Sequence, residues 1–405
     1  MNAINKNSSK RWIYMVFGVV AMLFAGVLYA WSILKSPLTE EFGWGQADLA
    51  LNFTIAMTFF CVGGLLGAQL SKRVGHRVAL VVSGVLSAAG FCLTAMLKSS
   101  GIGMLYITYG VLAGLGIGVA YNVVIATVSA WFPDKKGLCS GCLMMGFGAS
   151  ALVLGNLADA MFKSSLGWRT TYIVLGVGIF AVMLIASFLI KAWKKADNEP
   201  KKNDEKAEDN SKEHSFTSLQ MLGSLSFWLA FICISFLAAV GSSVISFAKD
   251  LALSVKAPES LAVSLVGVLS ICNGLGRILT GVIFDKLGPR KTMIFANIFT
   301  ICAAGVTLLA VSIGSLPMCI VGLCLTGMSY GSCPTITAAF TSSYFGMKHF
   351  SNNMAIMTFT VMIGSFIATA SNKVLELTGT YSATFVMLLA LTFVALVLNF
   401  FIKKR

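Results

Sequence analysis

GAQLSKRVGHR (Gly67–Arg77) and, 214 residues later, GVIFDKLGPRK (Gly281–Lys291) are two copies of one pattern. Each starts with a small residue, passes three spacers to a polar residue and a base, and ends in a glycine and more bases. The leading Gly67 and Gly281 suit close approach of a neighbouring helix, and the later Gly75 and Gly288 suit a tight turn. The bases Arg73, Arg77, Lys286, Arg290 and Lys291 favour a watery interface. Both copies follow apolar stretches, so the chain reads as a duplicated unit, a design that holds a ligand at mid-membrane between its halves.

Outward from the repeat, composition sets the solvent. Of 405 residues, 57% are hydrophobic and 11% charged, and the mean hydropathy is +0.84, which excludes a water-soluble globule. A net charge of +14 suggests nucleic acid in a soluble chain. Here the bases sit in short clusters between apolar runs, so the expected surroundings are a lipid bilayer and no nucleic acid.

A hydrocarbon core about 30 Å thick needs roughly 20 apolar residues per helix. Spans are expected at Trp12–Leu34, Leu49–Leu70, Val78–Leu97, Met104–Phe132, Leu138–Met161 and Trp168–Ile190, then at Leu222–Phe247, Leu261–Phe284, Thr292–Ile313, Leu316–Tyr344, Asn353–Asn372 and Ser382–Ile402. The first run is too long for a signal peptide and is expected to remain as a helix. Between the sixth and seventh spans, KKADNEPKKNDEKAEDNSKEHS (Lys194–Ser215) is too polar to bury and reads as a flexible tether. The expected organisation is a six-helix bundle over 1–193, the tether over 194–215 and a second six-helix bundle over 216–405. With both termini on one side, that side collects 22 of the 30 Lys and Arg against seven opposite. The positive-inside rule then makes it cytoplasmic, in a multi-pass protein of the plasma membrane.

The second copy matches the loop motif of the major facilitator superfamily, G-x-x-x-D-K/R-x-G-x-R/K-K/R, at Gly281, Asp285, Lys286, Gly288, Arg290 and Lys291. The first copy carries Ser71 in place of the acid and its Gly75 one position late, so no charge-based latch is expected there. YAWSILKSPLTEEFGW (Tyr29–Trp44), the Gly114–Gly118 run leading to Tyr121, WFPDKKGLCSG (Trp131–Gly141), GFG (Gly146–Gly148), NGLGR (Asn273–Arg277) and SYFG (Ser343–Gly346) narrow the likeness. Together they resemble the oxalate/formate antiporter family, which is related to the monocarboxylate transporters. The resemblance spans all twelve expected helices. It implies an all-α integral membrane protein of two pseudo-symmetric six-helix bundles, a carrier rather than an enzyme, with no cofactor.

Within the central parts of the spans one charged side chain stands out. Arg277 lies eight residues before Asp285, roughly 12 Å along a helix from the basic loop. An arginine at mid-helix costs about 2.5–3.5 kcal/mol to insert, so it is expected to face water or an anion. No mid-membrane acid is present to pair with it. Its planar fork suits a carboxylate, so a small carboxylate anion is the expected partner, and the family's carboxylate-binding arginine matches Arg277. Asn273, four residues earlier, shares its face, and stands where related monocarboxylate carriers have an acid. A proton, if coupled, therefore travels with the substrate, through Lys35, or through water. Tyr29, Tyr121 beside Asn122, and Tyr330 complete the expected substrate shell. Trp31, Phe59, Phe60 and Phe147 are candidate apolar walls, but among 29 phenylalanines an aromatic is more often core or lipid-facing, so none is assigned to the site.

Oxalate-specific members carry a lysine in the eleventh span, whereas Asn353–Ala370 here is uncharged. One fixed cation favours one carboxylate, of the lactate, pyruvate or formate type, over oxalate. An oxalate/formate-type dicarboxylate exchanger and a membrane nutrient sensor remain the alternatives. Gly110, Gly114 and Gly118 follow no strand and read as helix packing rather than dinucleotide binding. The histidines supply no hydrolytic triad, no metal site is read, Cys139 and Cys142 read as packing, and a monomer is expected.

Overall fold

The computed structural model describes residues 2–98, 101–132, 136–191, 216–346 and 349–402, which are helical with no strand among them. The expected tether, 194–215, lies outside the described residues. Eleven helices are long and apolar enough to cross a membrane. The first span is Arg11–Leu34, and Gln46–Ala95 contains the second and third. The fourth to sixth are Gly103–Ser129, Cys142–Phe162 and Gly167–Leu189. The seventh to twelfth are Leu225–Ser254, Glu259–Phe284, Lys286–Ile313, Leu316–Phe345, Asn353–Thr378 and Tyr381–Phe400.

Gln46–Ala95 holds two spans because Gly75 breaks it at φ 86°, ψ 159°. Gly288, at φ 76°, does the same between the eighth and ninth. Only glycine takes such a backbone without strain, so the turns expected from the repeat are present in both copies. The close approach is present in one copy only. A Cβ on Gly67 would lie 2.9 Å from Val119 Cα, whereas one on Gly281 would meet nothing nearer than Thr335 Cγ2 at 4.0 Å. Gly281 therefore has room for a side chain, and the close-packing expectation is corrected there.

Two spans outrun their expected ends. The seventh continues past Phe247, where the helix kinks (φ −131°, ψ 18°), to Ser254. The eleventh continues past Asn372 to Thr378. The charges that signalled water, Lys249, Asp250, Lys373 and Glu376, sit on helix and meet partners instead of ending it.

The chain leaves the sixth span and enters the seventh at one end of the bundle, the linker end. The opposite, far end joins the first six spans to the last six. Lys35 Nζ reaches Asp250 Oδ2 at 2.8 Å and Gln46 Oε1 at 2.6 Å. Glu259 meets Lys163 at 3.5 Å and Lys249 at 3.3 Å. Glu376 Oε1 accepts the Ala47 N–H at 2.6 Å. The ion pairs Lys35–Asp250 and Lys163–Glu259 thus both join the two sets at this far end. Deeper in, a Cβ on Gly148 of the fifth span would lie 2.6 Å from the Ser270 carbonyl of the eighth. Thr54 of the second span meets Thr369 of the eleventh at 2.7 Å.

Candidate functional site

The eighth span presents Asn273 and Arg277 one turn apart, and packing against the tenth holds them. Gly331 lies so close to the Asn273 carbonyl, and Gly276 to the Met328 carbonyl, that neither has space for a Cβ. Tyr330, next to Gly331, lies with its ring on Gly241 of the seventh span, another position without space for a Cβ. Across the interface, Tyr29 approaches Tyr330 with ring centroids 6.0 Å apart. Tyr29 occupies a tightened stretch of the first span, Gly26–Ala30.

Phe147 of the fifth span joins the rings. It stands 5.0 Å from Tyr29 and 5.2 Å from Tyr121, and Phe60 of the second span stands 5.1 Å from Tyr121. The Tyr121 hydroxyl faces the Arg277 guanidinium. Five rings from five spans thus gather with one guanidinium and one amide where the first six spans meet the last six.

Arg277 is 5% exposed and Asn273 fully buried. Among the described residues, Arg277 Nε and Nη1, both amide atoms of Asn273, Tyr330 Oη and the Ser242 and Ser270 hydroxyls have no hydrogen-bond partner. Tyr330 Oη comes near Ser242 and Tyr29 without closing a bond to either. Each buried orphan of this kind costs about 1–3 kcal/mol unless a polar guest meets it, and orphans also occur away from this cluster, at Asn52, Tyr109 and Asn399. Arg277 has no ion pair among the described residues. The interface acids Asp250 and Glu259 are engaged by Lys35, Lys249 and Lys163 at the far end.

Tyr330→Phe separates these uses. Removing an unpartnered hydroxyl is expected to leave the unliganded protein as stable or more stable, by up to about 1 kcal/mol, while weakening ligand affinity. A melting curve with and without ligand reads both, and a large loss of unliganded stability would contradict an orphaned hydroxyl.

Not every expected residue arrives. Asn122 turns toward the second span and fills the space left by Gly64, while its amide donates to the Gly118 carbonyl one turn back in its own span at 3.4 Å. Lys35, held by Asp250 and Gln46, is 2% exposed and committed to the far end. Trp31 belongs to the core of the first six spans, donating to the Leu49 carbonyl at 3.0 Å and stacking near Tyr109. Phe60 and Phe147, by contrast, are walls of the cluster, which the sequence offered as candidates without singling them out. The available signal was GFG, whose flanking glycines both touch other helices, Gly146 at Val19 and Gly148 at Ser270.

The repeat stands at the linker end. Arg73, Arg77, Lys286 and Arg290 are exposed, as is Lys291, and Arg290 donates to the Phe400 carbonyl of the twelfth span at 3.0 Å. The side chain of Asp285 lies outside the described set. The ten cysteines are free.

The Major Facilitator Superfamily model matches residues 15–369. The chain is 24% identical over 362 residues to the "Uncharacterized MFS-type transporter YhjX" of Escherichia coli, covering 88% of this chain and 86% of that protein. It is 29% identical over 290 residues to the "Oxalate:formate antiporter" of Oxalobacter formigenes, covering 70% and 65%. With human "Monocarboxylate transporter 12" it shares 22% over 345 residues, covering 80% and 66%. Among solved structures, a bacterial homologue of the lysosomal transporter Spinster, described as inward-facing and unoccupied, superposes with a TM-score of 0.75 at 13% identity, covering 97% of each chain. The twelve-span architecture and the match over most of the sequence place the chain in the major facilitator superfamily, a family of membrane carriers.

Proposed function

We propose that the chain carries a small monocarboxylate of the lactate, pyruvate or formate class across the plasma membrane by alternating access, as proton symport or anion exchange. The observation that carries this reading is Arg277, a buried guanidinium at the interface of the halves with orphaned donors and no acid opposite it. A carboxylate supplies the missing charge and accepts from the fork. Asn273 orients it, Tyr29, Tyr121 and Tyr330 donate to it, and Phe60 and Phe147 keep the chamber apolar.

One fixed cation sets the substrate charge, since Lys35 is engaged elsewhere. Binding cancels the buried charge, and a neutral site crosses between states more readily than a bare cation, which suits exchange or a proton accompanying the substrate. The halves are 1–193 and 216–405, joined by a tether over 194–215, with both termini and the repeat loops in the cytoplasm. One chain supplies both faces of the site, so a monomer suffices. The named relatives, an oxalate:formate antiporter and a monocarboxylate transporter, support a carboxylate cargo.

A melting screen of the purified protein with formate, lactate, pyruvate, oxalate and a nucleoside tests the class. A ligand at 100 times its Kd adds about 2.7 kcal/mol of stability. Monocarboxylates are expected to raise the Tm of the wild type and not of Arg277→Ala. A rise with oxalate alone would replace the one-charge reading by dicarboxylate exchange, and a rise with the nucleoside alone would end the carboxylate assignment.

A further inference from the structure

Among the described residues, Lys35–Asp250, Lys163–Glu259, Lys249–Ser36 and Glu376–Ala47 bridge the halves at the far end, and the last is built unlike the others. The second span begins at Gln46 with Gly45 as its N-cap (φ −67°, ψ 154°), and Gly45 has no side chain to cap the exposed N–H groups. A helix start normally takes a side-chain oxygen on its second or third N–H. Here that oxygen comes from the other half of the molecule, Glu376 Oε1 on the Ala47 N–H at 2.6 Å. The absence of a Cβ at Gly45 leaves room for it, since one would lie 3.0 Å from the same oxygen. Lys373 holds Oε2 at 3.0 Å and aims the carboxylate.

The location of Glu376 is the second observation. It lies in the last turn of the eleventh span, which ends at Thr378 with Gly379 as a left-handed cap (φ 68°). The negative end of a helix dipole disfavours an acid. Docked on the positive start of the second span, the same charge is favoured by the dipole and by the Ala47 N–H, against partial opposition from Asp48 in that first turn. At the pseudo-equivalent place the charges run the other way, with Lys163 after the end of the fifth span and Glu259 at the start of the eighth, 3.5 Å apart and both about half exposed. Those two suit their own helices whether or not the halves meet, and an exposed pair contributes little. The energy of the Glu376 bridge therefore depends on far-end closure, while that of the Lys163–Glu259 bridge scarcely does.

We propose that Glu376 is a positioning residue of the transport cycle. It caps the second span in trans when the far end is shut, and its release, uncapping one helix and stranding an acid on another, sets the balance between the two access states. This rests on the alternating-access reading above but on no particular substrate.

Hydrogen–deuterium exchange of the full-length protein in nanodiscs, without ligand, tests it. In Glu376→Ala, amides of residues 47–52 and 370–378 are expected to exchange roughly two- to thirtyfold faster, the range a lost N-cap spans. The opposite end supplies the decisive readout. Residues 353–361, where the Thr358 carbonyl accepts from Cys61 of the second span, are expected to exchange more slowly as the linker end closes. Glu376→Gln, keeping an acceptor without the charge, falls between. Gly45→Asp, at a backbone geometry open to any residue, caps the second span in cis and repels Glu376. It is expected to deprotect 370–378 and protect 353–361 while 47–52 stays protected.

Loosening of the far end with no gain at the linker end, in either variant, would make Glu376 a static contact and overturn the proposal, as would no change at either end. The readout uses no substrate. Its failure leaves the Arg277 assignment standing, and a failed carboxylate screen leaves this bridge standing.

Discussion

Arg277→Ala in proteoliposomes is expected to lower counterflow of labelled lactate or formate at least about 100-fold, with Arg277→Lys recovering only part of it. A charge-assisted fork to a carboxylate contributes more than a neutral hydrogen bond, and at a site walled by Phe60, Phe147 and three tyrosines little water stands in for it. Lysine restores the charge as a compact point without the planar geometry, so its rescue is incomplete. The alanine protein is expected to fold, because it loses a buried guanidinium with unpartnered nitrogens rather than a bonded structural group. Full counterflow by a folded Arg277→Ala protein would remove the guanidinium from the site.

Gly331→Val is expected to be among the most damaging single changes in the last six spans, destabilising by about 3 kcal/mol, the upper part of the range for overpacking. The obstacle is backbone, since a Cβ there runs into the Asn273 carbonyl with the Arg277 amide 3.1 Å away. A side-chain neighbour can rotate aside. Two helix backbones must move apart, carrying Asn273 and Arg277 with them. Gly305, with nothing within 4 Å, is the control, and the same substitution there is expected to cost less than about 1 kcal/mol. Thermal unfolding of both variants in one detergent checks the pair, and equal losses would show that the seam between the eighth and tenth spans tolerates a side chain.

The close contact at Gly331 also shows where sequence reading stops. A glycine within an apolar run announces that some backbone comes close, but not which one. The partner of Gly331 is 58 residues back, and that of Gly148 is more than 120 residues on. Phe60 and Phe147 could be named as candidates but not selected, for the same reason. With 29 phenylalanines in the chain, ring chemistry says nothing about which rings share a chamber, and only the crossing of the second, fourth and fifth spans selects these two. Asn122 erred in the other direction. It neighbours Tyr121 in sequence, but a step of one residue turns about 100° around a helix and delivers its amide to Gly64 instead.

By itself the sequence determined the solvent, the number of crossings, the two-fold repeat and the one charge that hydrocarbon would not accept. Each follows from a local rule, since every backbone polar group in a bilayer must be satisfied within its own helix and each charge must find water or a partner. Tertiary structure alone decided which partner. It bound Lys35 to Asp250, brought Glu376 to an amide 329 residues away, and left Arg277 facing rings rather than an acid. Such pairings depend on how helices lie side by side, and no periodicity within one helix records its neighbour.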